Sequence, residues 1–109
     1  MMDASPHTVS TPAVDGQSSG RYVDLGDVRL WVEEAGEGPP LLLIPGLGAG
    51  TWLWDAWRDA LADSFRLVMP ELRGSGRSDK PDERYTVAGF AHDLVGVLDA
   101  LEIDRAHVL

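Results

Sequence analysis

The most distinctive pattern along the chain is a run of apolar residues, Leu41–Ile44, that ends at a proline and a glycine. Four consecutive branched residues leave no polar face, so both sides of this strand must be covered. Strands buried on both faces are typical of parallel sheets flanked by helices. Binding sites in such sheets form beyond the carboxyl ends of the strands, and Gly46 and Gly48 follow this strand directly. The pattern therefore predicts a buried central strand with a functional loop after it.

Two short alternating runs precede this strand and predict a β-hairpin. Residues 22–25 and Val28–Glu33 alternate apolar and polar side chains, which is typical of half-buried strands. Gly26 and Asp27 lie between them and favour a tight turn. Strands joined by so short a turn pair in antiparallel orientation, so we expect a hairpin ahead of the central strand.

Helical periodicity appears in two segments after the glycine loop. Trp54, Trp57 and Leu61 fall at helical spacing and predict an amphipathic helix over residues 54–63. Thr86 is a suitable N-cap for a second helix. One apolar stripe predicts the buried face of that second helix, and its members are Val87, Phe90, Ala91, Leu94, Leu98 and Leu101.

The order of these elements indicates the fold class. The apolar run 65–69 ends at a proline, and residues 106–109 begin a further apolar strand. Strands that alternate with helices predict an α/β fold. We expect a mostly parallel sheet of about five strands, with an antiparallel N-terminal hairpin and helices on both faces. Residues 21–109 would form this domain, whereas residues 1–20 are rich in Ser, Thr, Pro and Gly and are predicted to be a disordered polar tail.

Composition narrows the class of function. The net charge of −9 argues against nucleic acid or an anionic membrane surface as a partner. The absence of cysteine excludes disulfides, thiolate metal sites and a cysteine nucleophile. No stretch approaches the roughly 18 apolar residues that span a bilayer, and residues 1–20 lack the features of a signal peptide. We therefore expect a cytoplasmic protein without a metal or other cofactor.

Two glycine-rich loops carry a family resemblance. The first is Pro45–Gly50, and the second is Glu71–Asp79, which contains the run Arg-Gly-Ser-Gly-Arg-Ser at positions 73–78. They resemble the N-terminal half of the α/β-hydrolase family, in which these loops usually read His-Gly-x-Gly and Asp-x-Arg-Gly-x-Gly-x-Ser. Pro45 and Glu71 depart from the pattern, because the family usually has His and Asp there. The resemblance implies a partial α/β-hydrolase fold of the esterase or enol-lactonase type, truncated before the nucleophile elbow.

The resemblance also implies that the first loop forms part of an oxyanion hole. The matching donor is the backbone N–H of Leu47, which would point at the negative oxygen that develops during acyl transfer. Gly46 and Gly48 would let the backbone approach the substrate closely. Trp52 would wall the substrate pocket, unless it packs against the sheet with the other two tryptophans of this segment.

The second loop is predicted to have a structural role. Gly74 and Gly76 permit unusual backbone angles, and Ser78 can bond nearby backbone groups. Arg73 is expected to brace the loop by pairing with Glu71 or with another carboxylate.

The nucleophile, base and acid of the family are not found in this chain. Ser75 has no Gly-x-Ser-x-Gly frame and no evident base, so we do not expect it to be a nucleophile. None of the three histidines, His7, His92 and His107, matches the catalytic histidine. We therefore expect the nucleophile, base and acid to lie beyond Leu109, and the 109-residue chain to be inactive by itself. The strand at the edge of its sheet would favour self-association.

Two alternatives to a hydrolase remain open. A strand, a glycine turn, a helix and a strand ending in Glu71 would also suit a dinucleotide-binding half-domain, although Gly46-x-Gly48-x-Gly50 is not the spacing of that fingerprint. The other alternative is a non-catalytic relative that keeps the hydrolase fold for binding. Hydrolysis of a small ester, lactone or related substrate is the interpretation that we favour.

Overall fold

The structure is a computed structural model that describes residues 8–9 and 19–109. These residues form one six-stranded sheet with the strand order β1-β2-β3-β5-β4-β6. The strands are β1 (Thr8–Val9), β2 (Ser19–Asp24), β3 (Arg29–Ala35), β4 (Pro40–Leu42), β5 (Arg66–Pro70) and β6 (His107–Val108). A 3₁₀ turn spans Thr51–Trp54, and the two α-helices are α1 (Arg58–Ala62) and α2 (Val87–Ala100).

The predicted hairpin is present as β2 and β3. The two strands pair in antiparallel orientation, and the Leu25 N–H donates to the Val28 carbonyl at 2.8 Å across the turn. Gly26 has a φ of 103°, which requires glycine, and its N–H donates to Asp24 Oδ1 at 2.8 Å.

The predicted tail falls largely outside the described residues. The structure does not describe residues 1–7 and 10–18. Thr8–Val9 pairs with β2 in antiparallel orientation, and Ser19 and Gly20 begin β2. A disordered tail over residues 1–20 therefore stays a prediction, and these four positions take part in strand pairing.

The parallel half of the sheet consists of β5, β4 and β6. Hydrogen bonds continue past the end of β4, because the Leu43 N–H donates to the Val68 carbonyl at 2.9 Å and the Ile44 N–H donates to the Leu109 carbonyl at 3.0 Å. The apolar run Leu41–Ile44 is thus central, as predicted. The sheet as a whole is mixed rather than mostly parallel, since β3 joins β5 in antiparallel orientation and carries the hairpin onto the same sheet.

Apolar side chains cover both faces of this sheet. Alternate residues of β4 and β5 point to opposite sides, so Leu42 and Val68 belong to one core and Leu41 and Leu67 to the other. The first core is closed by α2, and its buried members are Val23, Val28, Leu30, Val32, Leu42, Val68, Leu72, Leu94, Val97, Leu101 and Ile103. The second core lies under the α1 segment and contains Leu41, Leu43, Leu67 and Met69. Helices on both faces are therefore confirmed.

The second helix begins where the sequence predicts, and four residues of its predicted stripe, Phe90, Leu94, Leu98 and Leu101, face the core. Thr86 is the N-cap, and its Oγ1 accepts the Gly89 N–H at 2.9 Å. Val87, which we predicted to be buried, is 84% exposed, and Ala91 is also exposed. The buried face also includes Val97 and Asp93, whose carboxylate turns inward to an ion pair.

The first helix is shorter than predicted. Instead of a continuous helix over residues 54–63, the chain forms the 3₁₀ turn and then α1. Trp57 is the N-cap of α1 rather than a residue within it, and it is 60% exposed. Trp54 and Leu61 pack against the second core, whereas Trp52 is 64% exposed. Packing of all three tryptophans against the sheet is therefore wrong.

Candidate active site

The two glycine-rich loops meet at one edge of the sheet. The first loop, Pro45–Gly50, follows β4, and the second loop, Glu71–Asp79, follows β5. Because β4 and β5 are parallel neighbours, their carboxyl ends lie side by side. A direct hydrogen bond joins the loops, in which the Gly48 N–H donates to Ser75 Oγ at 2.9 Å.

The first loop forms a tight turn around Leu47. The Ala49 N–H donates to the Gly46 carbonyl at 3.1 Å, which closes a four-residue turn. Gly48 has a φ of +80°, while Leu47 is not among the described residues with positive φ. A negative φ followed by a φ near +80° defines a type II turn, and this turn requires glycine or asparagine at its third position.

Leu47 lies on the exposed surface of this turn. Its side chain is 70% exposed, and a Cβ atom added at Gly46 or Gly48 would meet nothing within 4 Å. Within the described part of the chain, the Leu47 N–H donates no hydrogen bond. The turn therefore presents a backbone donor at an open surface, where an external acceptor can reach it.

A buried carboxylate ties the end of the first loop to the second loop. Glu71 is only 2% exposed, and its Oε2 accepts the Thr51 N–H at 2.9 Å while its Oε1 accepts the Arg77 N–H at 2.7 Å. An added Cβ would lie 2.6 Å from this carboxylate at Gly50 and 2.5 Å from it at Gly76. Glycine is needed at both positions because the glutamate carboxylate fills the space between the loops.

Glu33 extends this bridge into a buried polar network. Its Oε2 accepts hydrogen bonds from Thr51 Oγ1 at 2.8 Å, from Trp31 Nε1 at 2.9 Å and from Arg77 Nη2 at 3.0 Å. Its Oε1 accepts from Arg58 Nη2 at 3.2 Å. The sequence did not reveal this role, because Glu33 appeared to be the polar position of an alternating strand.

The charge balance keeps this glutamate ionised. Burial acts to raise the pKa of Glu33, but the hydrogen bonds from Trp31 and Thr51 and the positive charges of Arg58 and Arg77 outweigh it. The net result is a pKa below the ordinary value of a glutamate. Burial in turn acts to lower the pKa of Arg77, and its contacts with Glu71 and Glu33 raise it overall.

Arg73 braces the second loop against α2 rather than against Glu71. Its guanidinium forms two hydrogen bonds to Asp93, at 2.7 and 2.8 Å, and further ion pairs to Glu83 at 2.6 Å and Asp27 at 3.2 Å. The hydrogen bonds to Asp93 raise the pKa of Arg73 well above its ordinary range against the opposing effect of burial. Of the two predicted alternatives, Arg73 thus pairs with another carboxylate and not with Glu71, and the arginine that contacts Glu71 is Arg77.

The other residues of the second loop form bonds within the fold. Gly74 and Gly76 have φ values of +85° and +55°. Ser78 Oγ donates to the Glu71 carbonyl and accepts the Trp31 N–H at 2.8 Å. These contacts support the structural role predicted for the loop.

No hydrogen bond joins Ser75 to a histidine in the part of the chain that the structure describes. Ser75 is 3% exposed, and its hydroxyl accepts the Gly48 N–H. His92 is exposed on α2, His107 packs edge-on against Phe65, and His7 lies outside the described residues. In residues 8–9 and 19–109, no group of three side chains suits a metal ion, and no helix is long and apolar enough to cross a membrane.

A cavity of about 310 Å³ lies at the opposite end of the sheet. It is lined by Pro39, Pro40, Arg105, Ala106 and His107, which surround the amino ends of β4 and β6. It is therefore separate from the two glycine-rich loops, which occupy the carboxyl ends.

Comparison with known proteins identifies relatives of this arrangement. The family model for the alpha/beta hydrolase fold matches residues 39–109. The 2-hydroxymuconate semialdehyde hydrolase of Pseudomonas sp. (strain CF600) is 37% identical over 94 residues, which cover 83% of this chain and 33% of that protein.

Solved structures agree with this match. The enol-lactonase from Burkholderia xenovorans LB400 has a TM-score of 0.77 at 30% identity, over 80% of this chain and 35% of its own. The epoxide hydrolase VrEH1 from Vigna radiata has a TM-score of 0.79 at 28% identity, over 84% of this chain and 31% of its own. The present chain thus spans about a third of the length of these relatives. It belongs to the α/β-hydrolase fold family.

Proposed function

We propose that this chain supplies the oxyanion loop of an enzyme that hydrolyses small esters, lactones or related substrates. The relatives include hydrolases of a semialdehyde, of 2-(acetamidomethylene)succinate and of an enol lactone, which supports a carbonyl substrate. The observation that carries the proposal is the exposed type II turn at Leu47, whose N–H has no partner in the described part of the chain.

The proposed chemistry uses the backbone of this turn. When a nucleophile attacks the substrate carbonyl, negative charge develops on its oxygen, and the Leu47 N–H donates to that oxygen. One such donor contributes roughly 3–4 kcal/mol to stabilisation of the transition state. The carboxyl ends of β4 and β5 would place the substrate above the turn, where Gly46 and Gly48 leave open space and the exposed Trp52 offers an apolar wall.

The nucleophile, the base and the acid are proposed to lie outside these 109 residues. A hydroxyl nucleophile needs a positioned base at neutral pH, and Ser75 is buried with its hydroxyl engaged by Gly48. We therefore expect the purified 109-residue chain to hydrolyse p-nitrophenyl acetate and dihydrocoumarin no faster than buffer does. Turnover that survives both Ser75→Ala and Ser78→Ala would contradict this expectation.

The role of Leu47 is tested by removing only its N–H. Proline is favoured at the second position of a type II turn, so Leu47→Pro deletes the donor with little change to the turn. Where the reading frame continues past codon 109 and its product hydrolyses these substrates, we expect Leu47→Pro to lower kcat roughly 100- to 1000-fold with a smaller effect on KM. Leu47→Ala is the matched control, because it trims the side chain and keeps the donor. Equal losses in both variants would show that the side chain matters and the N–H does not.

A further inference from the structure

Ser75 is a buried polar residue that the proposed reaction does not use. Its side chain lies under the first loop, where its Oγ accepts the Gly48 N–H at 2.9 Å. Its own backbone is held in the second loop, since its N–H donates to the Leu72 carbonyl at 2.9 Å and its carbonyl accepts the Ser78 N–H at 3.1 Å. The hydroxyl is therefore a fixed acceptor aimed at the turn that carries Leu47.

The hydrogen bond from Gly48 to Ser75 fixes the orientation of the Leu47–Gly48 peptide, and this orientation determines whether the turn is type I or type II. Type I and type II turns differ mainly by a rotation of the central peptide plane, which here joins Leu47 to Gly48. The φ of +80° at Gly48 shows that the plane has the type II orientation. Rotation to type I would withdraw the Gly48 N–H from Ser75 and would reverse the direction of the Leu47 carbonyl.

We propose that Ser75 is a positioning residue that holds the Gly46–Ala49 turn in its type II form and thereby keeps the Leu47 N–H available to an oxyanion. This inference rests on the function proposed above. A turn that is held in one form presents the Leu47 N–H in a fixed direction, and a preorganised donor needs no rearrangement when the negatively charged oxygen forms. Ser75 thus acts through Gly48 on the donor of the neighbouring residue.

Amide exchange tests the first half of the proposal in the full 109-residue chain. We expect Ser75→Ala to speed hydrogen exchange of the Gly48 amide about threefold to tenfold, the range that corresponds to loss of one neutral hydrogen bond. Ser75→Thr keeps the hydroxyl and should restore the slow exchange. Ser78→Ala is the matched control, because it removes a hydroxyl from the same loop with a similar burial and without a contact to Gly48.

Acetate serves as the probe for the second half, because its carboxylate oxygens resemble an oxyanion. We expect the Leu47 amide resonance of the wild-type chain to shift on titration with sodium acetate, and the shift to be smaller in Ser75→Ala. A D-alanine in place of Gly48 favours positive φ, so a synthetic chain with this residue and Ser75→Ala should regain the response. That rescue separates positioning of the turn from a general loss of stability.

The outcomes distinguish this inference from the proposed function. Unchanged exchange at Gly48 in Ser75→Ala overturns the positioning role, and so does an acetate response that is equal in both chains. If Ser75→Ala alters Gly48 but acetate leaves Leu47 of the wild-type chain unmoved, the oxyanion function fails while the control of the turn by Ser75 stands.

Discussion

The carboxylate of Glu71 occupies the space that side chains at Gly50 and Gly76 would need. An added Cβ at Gly76 would lie 2.5 Å from Glu71 Oε1, and the φ of +55° at this position adds strain for any other residue. Gly46 lies in the same site with nothing within 4 Å of its Cβ position and without a positive φ. A side chain at position 46 therefore has space and an ordinary backbone conformation, whereas a side chain at position 76 has neither.

We predict that Gly76→Ala lowers the free energy of unfolding by at least about 2 kcal/mol, from backbone strain and overpacking together. Gly46→Ala is the matched control and should change stability little. Urea unfolding followed by tryptophan fluorescence measures both variants. Equal losses would mean that the Glu71 carboxylate does not fill the space between the loops.

The lowered pKa of Glu33 links stability to pH. A carboxyl group whose pKa is lower in the folded state stabilises the fold above its unfolded pKa, and this contribution disappears as the pH falls through the folded pKa. We predict that wild type is more stable than Glu33→Gln above about pH 5, and that the difference shrinks on further acidification. Urea midpoints measured from neutral pH downward give the difference directly, and a constant gap between the two proteins would contradict the assignment.

The choice of ion-pair partners shows where prediction at the residue scale fails. The motif 73–78 identified an arginine that braces the second loop, and the structure contains such an arginine. Its partner is Asp93, twenty residues later, and the partner of Glu71 is Arg77. Local spacing makes Glu71 and Arg73 neighbours in the chain, but only the packing of α2 on the sheet brings Asp93 to the guanidinium.

At the scale of elements, the pair Arg73–Asp93 fastens α2 to the second loop. Asp93 is 2% exposed and Arg73 is 8% exposed, so loss of the Asp93 charge leaves the buried guanidinium with only the exposed carboxylates of Glu83 and Asp27. We predict that Asp93→Asn destabilises the chain by about 2–3 kcal/mol, the range for loss of a hydrogen bond between charged groups. The exposed Asp99 on the same helix provides the control, and Asp99→Asn should have little effect.

A double replacement checks the cause of that loss. Arg73→Met combined with Asp93→Leu removes both charges, and the former partners Asp27 and Glu83 are exposed to water. The double variant should recover much of the stability lost in Asp93→Asn, because apolar residues often replace a buried pair without penalty. Thermal unfolding of wild type, Arg73→Met, Asp93→Leu and the double variant tests this, and additive losses would contradict it.

The two helices differ in how well the sequence predicts them. α2 has a threonine N-cap and a long apolar stripe. Both features are local in sequence, so they predict the helix without knowledge of the rest of the fold. The first helix does not follow its periodicity, because the Thr51 N–H is held by Glu71 and the following residues form i→i+3 hydrogen bonds, such as that from the Leu53 N–H to the Gly50 carbonyl. The chain therefore enters this segment as a 3₁₀ turn, and the tryptophan spacing alone does not indicate that turn.

At the scale of the whole molecule, the sequence predicts the family correctly but does not predict the order of the strands in the sheet. The two loops at the carboxyl ends of β4 and β5 carry the resemblance, and the match over residues 39–109 confirms it. The order of the strands depends on which distant segments pair, and short sequence patterns do not reveal this. β5 lies between β3 and β4, so the hairpin is joined to the parallel strands through an antiparallel pair that no alternation along the chain could indicate.

The edge of the sheet at β6 leads to a prediction about association. Among the described strands, β6 pairs with β4 alone, and Val108 and Leu109 are 61% and 62% exposed. An apolar edge strand with unpaired backbone groups favours pairing with another chain. We therefore predict that the 109-residue chain self-associates as its concentration rises, despite its charge of −9.

Sedimentation velocity of two lysine variants tests whether β6 is responsible. Val108→Lys places a charge on the edge and should shift the chain toward monomer, because edge strands with lysine resist pairing. Val95→Lys is the matched control, since Val95 is 57% exposed on α2, away from the edge. Both variants change the net charge equally, so general repulsion would weaken association by the same amount in each. Only a larger effect at Val108 assigns association to the sheet edge, and a wild-type chain that stays monomeric at all concentrations would refute the prediction.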